Sequence, residues 1–305
     1  MTKSIFITGA ASGIGKATAI SFAEKGWNVG LFDINEEGLK EVANEIGHNK
    51  CMYQKLDVTS IQEWKEAEKS FSEYTSGKCN IFFNNAGIAN FAGAFEDVHI
   101  NEIHKIIDVN FKGVANGCIS MLNLLKNTEN SLLLNTSSVA GLVPTPGIAI
   151  YGATKHAVTS LTESLRIEYE RHGVRVSEIN PWFTETPILE AKNVSSDMQS
   201  QWERDFVEQR TKVHPVSKVV DKVWLAYKSK KIHHPVGLEA NLATFLMADG
   251  CEYLTGEIVA IDGAQWLNHA GNFYEMLKDV TDQEWEMLRN MIKSSNDADK
   301  AKRSV

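Results

Sequence analysis

Cysteine is scarce in this sequence, and its positions exclude two classes of protein. The four cysteines lie far apart in 305 residues and form no CxxC pair: Cys51, Cys79, Cys118 and Cys251. A disulfide framework or a cysteine-based metal site is therefore not expected. Reduced thiols are typical of the cytoplasm, so we predict a cytoplasmic protein that binds no metal.

Positive charge and long apolar runs are also lacking. The net charge is -8 at pH 7, the isoelectric point is about 5.6, and no dense run of Lys or Arg occurs. This balance argues against nucleic acid or an anionic membrane as a main partner. The apolar run that follows Met1 is too short for a signal peptide, and no other run is long enough to span a bilayer.

The overall composition is that of an ordinary globular protein. Hydrophobic residues make up 43% of the chain and charged residues 23%. With 305 residues, the chain suits one large α/β domain or two small ones, with a core that needs no covalent staples.

The N-terminal region shows the order strand, glycine turn, helix, strand. A buried run at Ser4–Ile7 leads into Thr8–Gly15, a helical pattern follows until Gly26, and a second strand ends in the acidic residue Asp33. Glycines at such a turn let the backbone approach a pyrophosphate, which then rests on the helix N-terminus. The spacing GxxxGxG differs from the Rossmann fingerprint GxGxxG, although its context is the one that a dinucleotide fold requires.

Asp33 indicates which dinucleotide is preferred. A carboxylate at the end of the second strand accepts hydrogen bonds from the adenosine ribose and repels a 2′-phosphate, so NAD is favoured over NADP. The nearby cation Lys16 leaves NADP as the alternative.

Strands and helices continue to alternate after Asp33. Further strands are expected at 51–58, 81–87, 132–138 and 174–181, with helices at 36–46, 61–75, 100–125 and from 151 onward. This rhythm predicts a Rossmann-like, doubly wound parallel sheet with helices on both faces. Ligands bind at the carboxyl ends of such strands, so we expect four residues to line one edge: Gly9, Asp33, Asp57 and Asn85.

A candidate acid/base pair begins the helix after the fifth strand. Tyr151 and Lys155 are four residues apart, so they lie one turn apart on the same helix face. An ammonium near a phenol lowers the phenol pKa from its usual value of about 10, which makes proton transfer near neutral pH feasible. Ser138 stands at the end of the fifth strand, and the intervening loop could fold it back against this helix. Asn110 lies within the 100–125 helix, either exposed or with its amide interrupting the backbone ladder.

Together these motifs resemble the short-chain dehydrogenase/reductase family over residues 3 to 265. The motifs are TGxxxGxG at Thr8–Gly15, NNAG at 84–87, Asn110, Ser138 and YxxxK at 151–155. The resemblance implies about seven parallel strands, with the last at 254–263. It also implies a catalytic tetrad of Asn110, Ser138, Tyr151 and Lys155, and a set of cofactor-binding residues: Gly9, Ser12, Gly13, Ile14, Gly15, Asp33, Asp57, Val58, Asn85, Ala86, Gly87, Tyr151, Lys155, Pro181 and Thr186.

The resemblance also implies roles for the tetrad in hydride transfer between a secondary alcohol or ketone and a nicotinamide. Ser138 would bind the substrate oxygen, and Tyr151 would exchange the proton. Lys155 would lower the tyrosine pKa and bind the cofactor ribose, and Asn110 would hold a water that links Lys155 to solvent.

Two features depart from the family pattern. The family has Pro-Gly after the sixth strand, whereas this chain has Pro181-Trp182, and a Trp there cannot readily adopt a positive φ. Trp182 either narrows the substrate pocket or packs beneath the end of the sheet.

The second departure is a C-terminal extension, which divides the chain into a domain at 1–265 and a tail at 266–305. The tail contains an amphipathic helix that begins with the capping box Thr281–Glu284. Up to about residue 237 the chain resembles one branch of the family, and from Asn241 onward it resembles a branch that carries a longer tail. This raises the hypothesis that the segment after about residue 237 has a different origin.

Apolar residues near the site suggest an apolar alcohol or ketone as substrate: Phe91, Leu142, Val143, Trp182 and the lid segment 188–214. The alternatives are an acyl-thioester or steroid-like substrate, or a non-catalytic dinucleotide sensor. Resemblance also implies a homo-oligomer, a homotetramer or a dimer, formed by the helices near 100–125 and 151–172.

Overall fold

A seven-stranded parallel sheet organises the computed structural model. The structure describes residues 2–89, 95–145, 147–190, 213–237 and 240–241, all of which belong to one compact unit. The strands are β1 (Ser4–Thr8), β2 (Asn28–Asp33), β3 (Cys51–Lys55), β4 (Ile81–Asn84), β5 (Leu132–Thr136), β6 (Arg175–Pro181) and β7 (His233–Val236). Their order across the sheet is β3-β2-β1-β4-β5-β6-β7. This result confirms the predicted Rossmann-like architecture.

Helices cover both faces of the sheet. They are α1 (Gly13–Glu24), α2 (Glu36–Ile46), α3 (Ile61–Thr75), α4 (Ile100–Ile107), α5 (Val114–Ser120), α6 (Leu122–Lys126), α7 (Ala149–Glu170) and α8 (Val216–Lys228). Side-chain caps start three of them, because Asn35 accepts from the Gly38 amide, Ser60 from the Glu63 amide and His99 from the Asn101 amide. Each Asn or Ser cap stabilises its helix by about 1 kcal/mol.

Alternation along the strands divides the core into two layers. In β1, Ile5 and Ile7 pack toward α1, α2 and α8, whereas Phe6 packs toward α3, α5 and α7. Each buried side chain of this size stabilises the fold by about 1.5–3 kcal/mol. The two layers hold the sheet rigidly, so the positions of its carboxyl ends are fixed.

One strand was not expected from the sequence, one expected helix is divided, and other expected elements lie outside the described residues. The strand beside β6 is His233–Val236, a segment that the sequence analysis did not assign as a strand, and it pairs in register with Glu178–Pro181. The segment 254–263, expected to be the last strand, lies outside the described residues, as do the boundary near 265 and the helix at 281–292. The expected 100–125 helix is divided into α4, a π-helical turn at Asp108–Gly113, α5 and α6.

No helix in the described ranges is long and apolar enough to cross a membrane. The described cysteines, Cys51, Cys79 and Cys118, are unpaired and buried.

Candidate active site

The turn between β1 and α1 forms a cradle of backbone. Gly13 has a φ of +50°, and a Cβ at Gly15 would lie 2.0 Å from the Gly9 carbonyl oxygen, so no side chain fits there. The Ser12 hydroxyl makes no capping bond, and the first turn of α1, which includes Ile14, has no acidic residue. These features leave the N-terminal amides of α1 available to an anion such as a pyrophosphate.

The Asn85-Ala86-Gly87 segment is fixed against this turn by Thr8. The Thr8 hydroxyl accepts from the Asn85 and Ala86 amides at 2.9 and 3.0 Å. The Asn85 side chain donates to the Thr8 carbonyl at 3.0 Å and accepts from the Thr136 hydroxyl at 3.2 Å. The segment therefore bridges the ends of β1 and β5.

Asp33 ends β2 beside the glycine turn. Its two carboxylate oxygens accept from the Ala11 amide at 3.0 Å and the Asn35 amide at 2.9 Å. Because each oxygen accepts more than one bond, both retain capacity for ribose hydroxyls. Lys16, whose charge left NADP open, forms an ion pair with Glu45 at 2.9 Å.

Asp57 and Val58 shape the turn after β3. The Asp57 carboxylate accepts from the amide and the hydroxyl of Thr59 at 2.9 and 2.8 Å. The Val58 carbonyl accepts from the indole of Trp64 at 2.9 Å. Both residues lie at the same sheet edge as Gly9 and Asp33, because all these strands are parallel.

Asn110 lies in the π-helical turn between α4 and α5 and is completely buried. Its side-chain oxygen accepts from the Ile88 amide and its nitrogen donates to the Ile88 carbonyl, both at 2.8 Å. The nitrogen also lies 3.3 Å from the Thr154 hydroxyl. The sequence left open whether Asn110 is exposed or interrupts the helix. The structure shows it buried, within an irregular turn of the helix. Such π turns are frequent at functional sites.

Ser138 and Tyr151 meet because a short 3-10 turn, Val139–Gly141, folds against α7. The Ser138 hydroxyl lies near enough to the Tyr151 phenol to lower the pKa of that phenol. Ser138 also accepts from the Ala140 amide at 3.2 Å and donates to the Pro181 carbonyl at 3.4 Å. Ser138 is thus placed beside the phenol at the end of β5.

Lys155 is buried one helical turn after Tyr151. Its ammonium donates to the Thr136 carbonyl at 2.7 Å and lies 5.6 Å from the centroid of the Tyr151 ring. Burial lowers the pKa of Lys155 to about 8, and the charge of Glu178 opposes that effect.

The pKa of Tyr151 is raised, which differs from the lowering expected from Lys155. Desolvation among the surrounding protein atoms raises this pKa even though part of the residue remains exposed, and the hydrogen bond with Ser138 offsets part of the rise. The expected lowering of the Tyr151 pKa took the charge of Lys155 into account, but burial cannot be read from the sequence.

The segment after β6 closes the site beside the glycine turn. A Cβ at Gly13 would lie 3.2 Å from the Thr186 methyl carbon, so Thr186 borders the cradle. Trp182 donates through its amide to the Val236 carbonyl at 3.3 Å and packs with Val139 and Ala240. In the described part of the chain only Ser76 and Asn130 among non-glycine residues have a positive φ, so Trp182 avoids that conformation as expected.

The residues expected to contact the substrate are only partly described. Leu142 is buried and Val143 is 37% exposed, both next to the 3-10 turn that follows Ser138. Phe91 and most of the segment 188–214 lie outside the described residues.

Three contributors to the site were missed by the sequence analysis. Thr136 anchors Lys155 through its carbonyl, Thr154 contacts Asn110, and Glu178 affects the charge of Lys155. Backbone carbonyls and hydroxyls leave no pattern in a single sequence. Glu178 did leave a signal, because it is the one charged residue inside the otherwise uncharged run 176–181.

Comparison with known proteins agrees with this geometry. A family model described as short chain dehydrogenase matches residues 3–197. The chain is 30% identical to cyclohexanol dehydrogenase of Acinetobacter sp. (strain SE19), with 86% of this chain and 94% of that protein covered. It is 34% identical to 2,5-dichloro-2,5-cyclohexadiene-1,4-diol dehydrogenase LinX of Sphingobium indicum, with 86% and 95% covered.

A solved structure shares the fold. The crystal structure of a short chain dehydrogenase/reductase from Burkholderia phymatum in complex with NAD superposes with a TM-score of 0.71. The two chains are 30% identical, and the match covers 80% of this chain and 91% of that one.

Proposed function

Because the chain belongs to the short-chain dehydrogenase family, whose members act on CH–OH groups, we propose that it is an NAD-dependent dehydrogenase of ring-shaped secondary alcohols. The chain interconverts an alcohol and a ketone. The observation that carries the proposal is the placement of three side chains at one sheet edge: Ser138 is next to Tyr151, and Lys155 lies beside the tyrosine ring.

Tyr151 is assigned the proton transfer. In oxidation the phenolate accepts the hydroxyl proton of the alcohol, and in reduction the phenol returns a proton to the oxygen of the ketone. Ser138 donates a hydrogen bond to the same substrate oxygen, which holds it next to the phenol and stabilises the negative charge that develops there. The raised pKa of Tyr151 keeps the phenol protonated at neutral pH, which suits the donor role.

Lys155 and Asn110 support this centre. The ammonium of Lys155, held by the Thr136 carbonyl, supplies positive charge near the Tyr151 ring. A Cβ placed on Gly87 would lie 3.4 Å from the Asn110 side-chain oxygen and 3.5 Å from the Lys155 nitrogen, so both polar groups border Gly87. We assign to Asn110 the binding of a water that connects Lys155 with solvent.

The backbone cradle fits a nicotinamide dinucleotide, which supplies the hydride acceptor or donor when bound. The open amides of α1 and the glycines would hold the pyrophosphate, with Asn85, Ala86 and Gly87 beside them. Asp33 supports the choice of NAD, because its carboxylate would repel a 2′-phosphate and Lys16 is engaged by Glu45. Thr186, at the edge of the cradle, is assigned to the nicotinamide side, and Asp57 and Val58 to the adenine side.

Two observations support the substrate assignment. Leu142 and Trp182 are apolar neighbours of the Ser138 turn, and two relatives are named for ring alcohols. A ring-shaped, apolar secondary alcohol is the class that both observations favour.

Assembly and location are proposed with this function. Ile119 on α5 and Ile167 on α7 are 71% and 76% exposed, which favours burial of these helices in a dimer or homotetramer. The buried, unpaired thiols are compatible with the reducing cytoplasm. Light scattering of the purified protein tests the assembly, and a monomer at micromolar concentration would contradict it.

A substrate and cofactor panel tests the proposed activity. Purified protein is assayed with cyclic and linear secondary alcohols, an acyl thioester and a steroid ketone, each with NAD(H) and NADP(H). We expect the highest kcat/KM for a cyclic alcohol with NAD. Binding of NADH without turnover of any substrate would favour the sensor alternative and contradict the proposal.

A further inference from the structure

A carboxylate lies in the interior of the sheet next to the site. Glu178 lies in the middle of β6 and is 0% exposed, and its neighbours along the strand are buried as well. It shares the sheet face of Val176, the face that α7 covers. A buried carboxylate without partners is energetically costly, so the groups around Glu178 determine its state.

Three donors converge on one oxygen of Glu178. Its Oε1 accepts from the Asn180 side chain at 2.7 Å and the Thr159 hydroxyl at 3.2 Å, and lies 3.0 Å from Nδ1 of His233. The other ring nitrogen of His233 lies 3.5 Å from a carboxylate oxygen of Glu163, which is half-exposed. Both ring nitrogens therefore face carboxylate oxygens.

Two hydroxyls join this pair to the turn of α7 that carries Lys155. Thr159 Oγ1 lies 2.8 Å from the Ser137 hydroxyl, which in turn lies 3.1 Å from the Lys155 carbonyl oxygen. Each hydroxyl has one proton. When Glu178 is ionised, Thr159 donates its proton to the carboxylate, because a charged acceptor forms the stronger bond. The single proton of Ser137 is then shared between the Thr159 oxygen and the Lys155 carbonyl oxygen, which both lie within hydrogen-bonding distance.

The same carboxylate acts on the ammonium of Lys155. That ammonium is buried, and its one described hydrogen bond is to the neutral Thr136 carbonyl. Burial lowers the pKa of Lys155 to about 8, and the attraction of Glu178 works in the opposite direction. Glu178, which lies outside the YxxxK motif, therefore favours the charged form of Lys155 against the effect of burial.

We propose that Glu178 is a positioning residue for the reaction: its buried carboxylate, fixed by Asn180, Thr159 and His233, keeps Lys155 charged beside Tyr151. It touches neither substrate nor cofactor. The consequence for catalysis rests on the role proposed above for Lys155. The effect of the Glu178 charge on Lys155, called the electrostatic link below, does not depend on that role.

The titratable groups around this link are few in the described residues. Lys155 itself faces Tyr151 and Glu178. Glu178 faces Lys155 from α7 and His233 from β7. Glu163 lies on the outer side of His233, and His234 follows it along β7.

Titration of Lys155 by chemical labelling tests the link without cofactor. Only a neutral amine reacts with formaldehyde, so reductive methylation followed by peptide mass spectrometry gives the pH at which Lys155 is half-reactive. In Glu178→Gln we expect this midpoint to move to lower pH by about 0.5 unit, because a nearby negative charge is lost. An unchanged or raised midpoint overturns the proposal.

Two further variants separate charge from structure. Glu163→Gln also removes one negative charge, but from the half-exposed carboxylate beside His233, where water screens it. The Lys155 midpoint is therefore expected to shift less than half as far as in Glu178→Gln. If Glu178→Gln does not fold, Glu178→Met, which replaces the carboxylate with an apolar side chain of similar length, takes its place in the test. The midpoint should again move to lower pH because the same negative charge is lost, and no shift would overturn the proposal.

The pH profile of ketone reduction by NADH supplies the catalytic readout. The falling limb of kcat should move to lower pH in Glu178→Gln with KM unchanged, since loss of the negative charge eases deprotonation of both Lys155 and Tyr151. A merely structural role would lower kcat equally at every pH. Failure of the proposed function would appear as full activity in Tyr151→Phe, and the labelling midpoint would still decide the role of Glu178.

Discussion

The ammonium of Lys155 lies 5.6 Å from the centroid of the Tyr151 ring, one turn along the same helix, and the Thr136 carbonyl holds it there. Ser138, at the neighbouring strand end, lies near enough to the phenol to lower its pKa. A helix and a strand end therefore bring together the residues to which proton transfer is assigned above, and the following predictions depend on that arrangement.

Ser138→Ala should lower kcat/KM for alcohol oxidation by about 10²–10³-fold, because it removes a donor to the substrate oxygen. Its described bonds are long, at 3.2 and 3.4 Å, so the melting temperature should change little. Steady-state kinetics and thermal unfolding measure the two effects. Thr145→Ala, in the loop that follows, serves as a matched control and should keep native activity. Loss of activity in both variants would contradict the assignment.

Asp33→Ala should raise the ratio of NADP to NAD use by about tenfold, equivalent to about 1.4 kcal/mol. The reason is that the carboxylate that repels a 2′-phosphate is gone. The variant should also lose some stability, because two backbone amides lose their acceptor. The ratio of kcat/KM values is the measurement. Lys16→Met should leave the ratio unchanged, since Glu45 already engages that charge. An unchanged ratio in Asp33→Ala would refute the role given to Asp33.

Gly15→Ala should destabilise the protein by about 3 kcal/mol or more and weaken NADH binding, because the new carbon would meet the Gly9 carbonyl. Gly26→Ala is the control: Gly26 has a φ of +77° but nothing within 4 Å, so only about 1–2 kcal/mol of backbone strain is expected. Chemical denaturation and NADH fluorescence titration report the two effects. Equal losses in both variants would contradict this explanation.

Acid should destabilise the fold through His234. Burial lowers the pKa of this histidine from 6.5 to about 4. The unfolded chain therefore takes up a proton below pH 6.5 that the folded protein excludes until about pH 4, and stability falls across that interval. Between pH 7 and pH 5 the loss should be about 2 kcal/mol. Urea denaturation at the two pH values measures it. His234→Gln should show a correspondingly smaller pH dependence, and an identical dependence would rule out His234 as the cause.

Much of this arrangement could be predicted from the sequence, for physical reasons. The glycine turn and the i, i+4 spacing of Tyr151 and Lys155 are local, so periodicity and residue type define them. The parallel sheet follows from the alternation of strands and helices, and it brings Asp33 and Asn85 to the same edge.

Other features depend on tertiary contacts that a single sequence does not show. The π-helical turn at Asn110 depends on bonding to Ile88, a residue on a different segment. The strand His233–Val236 is short and contains a proline, so its pairing with β6 left no strand pattern. The raised pKa of Tyr151 reflects burial, which depends on packing from several elements.

The comparison of Tyr151→Phe with Tyr169→Phe tests the central claim most directly. Both substitutions remove one phenolic hydroxyl from α7, but that of Tyr169 donates to the Cys118 carbonyl at 3.3 Å in the core. With cyclohexanol and NAD, Tyr151→Phe should lose about 10²–10⁴-fold in kcat/KM while the melting temperature is kept. Tyr169→Phe should keep its activity and lose about 1 kcal/mol of stability. Native turnover by Tyr151→Phe would contradict the account.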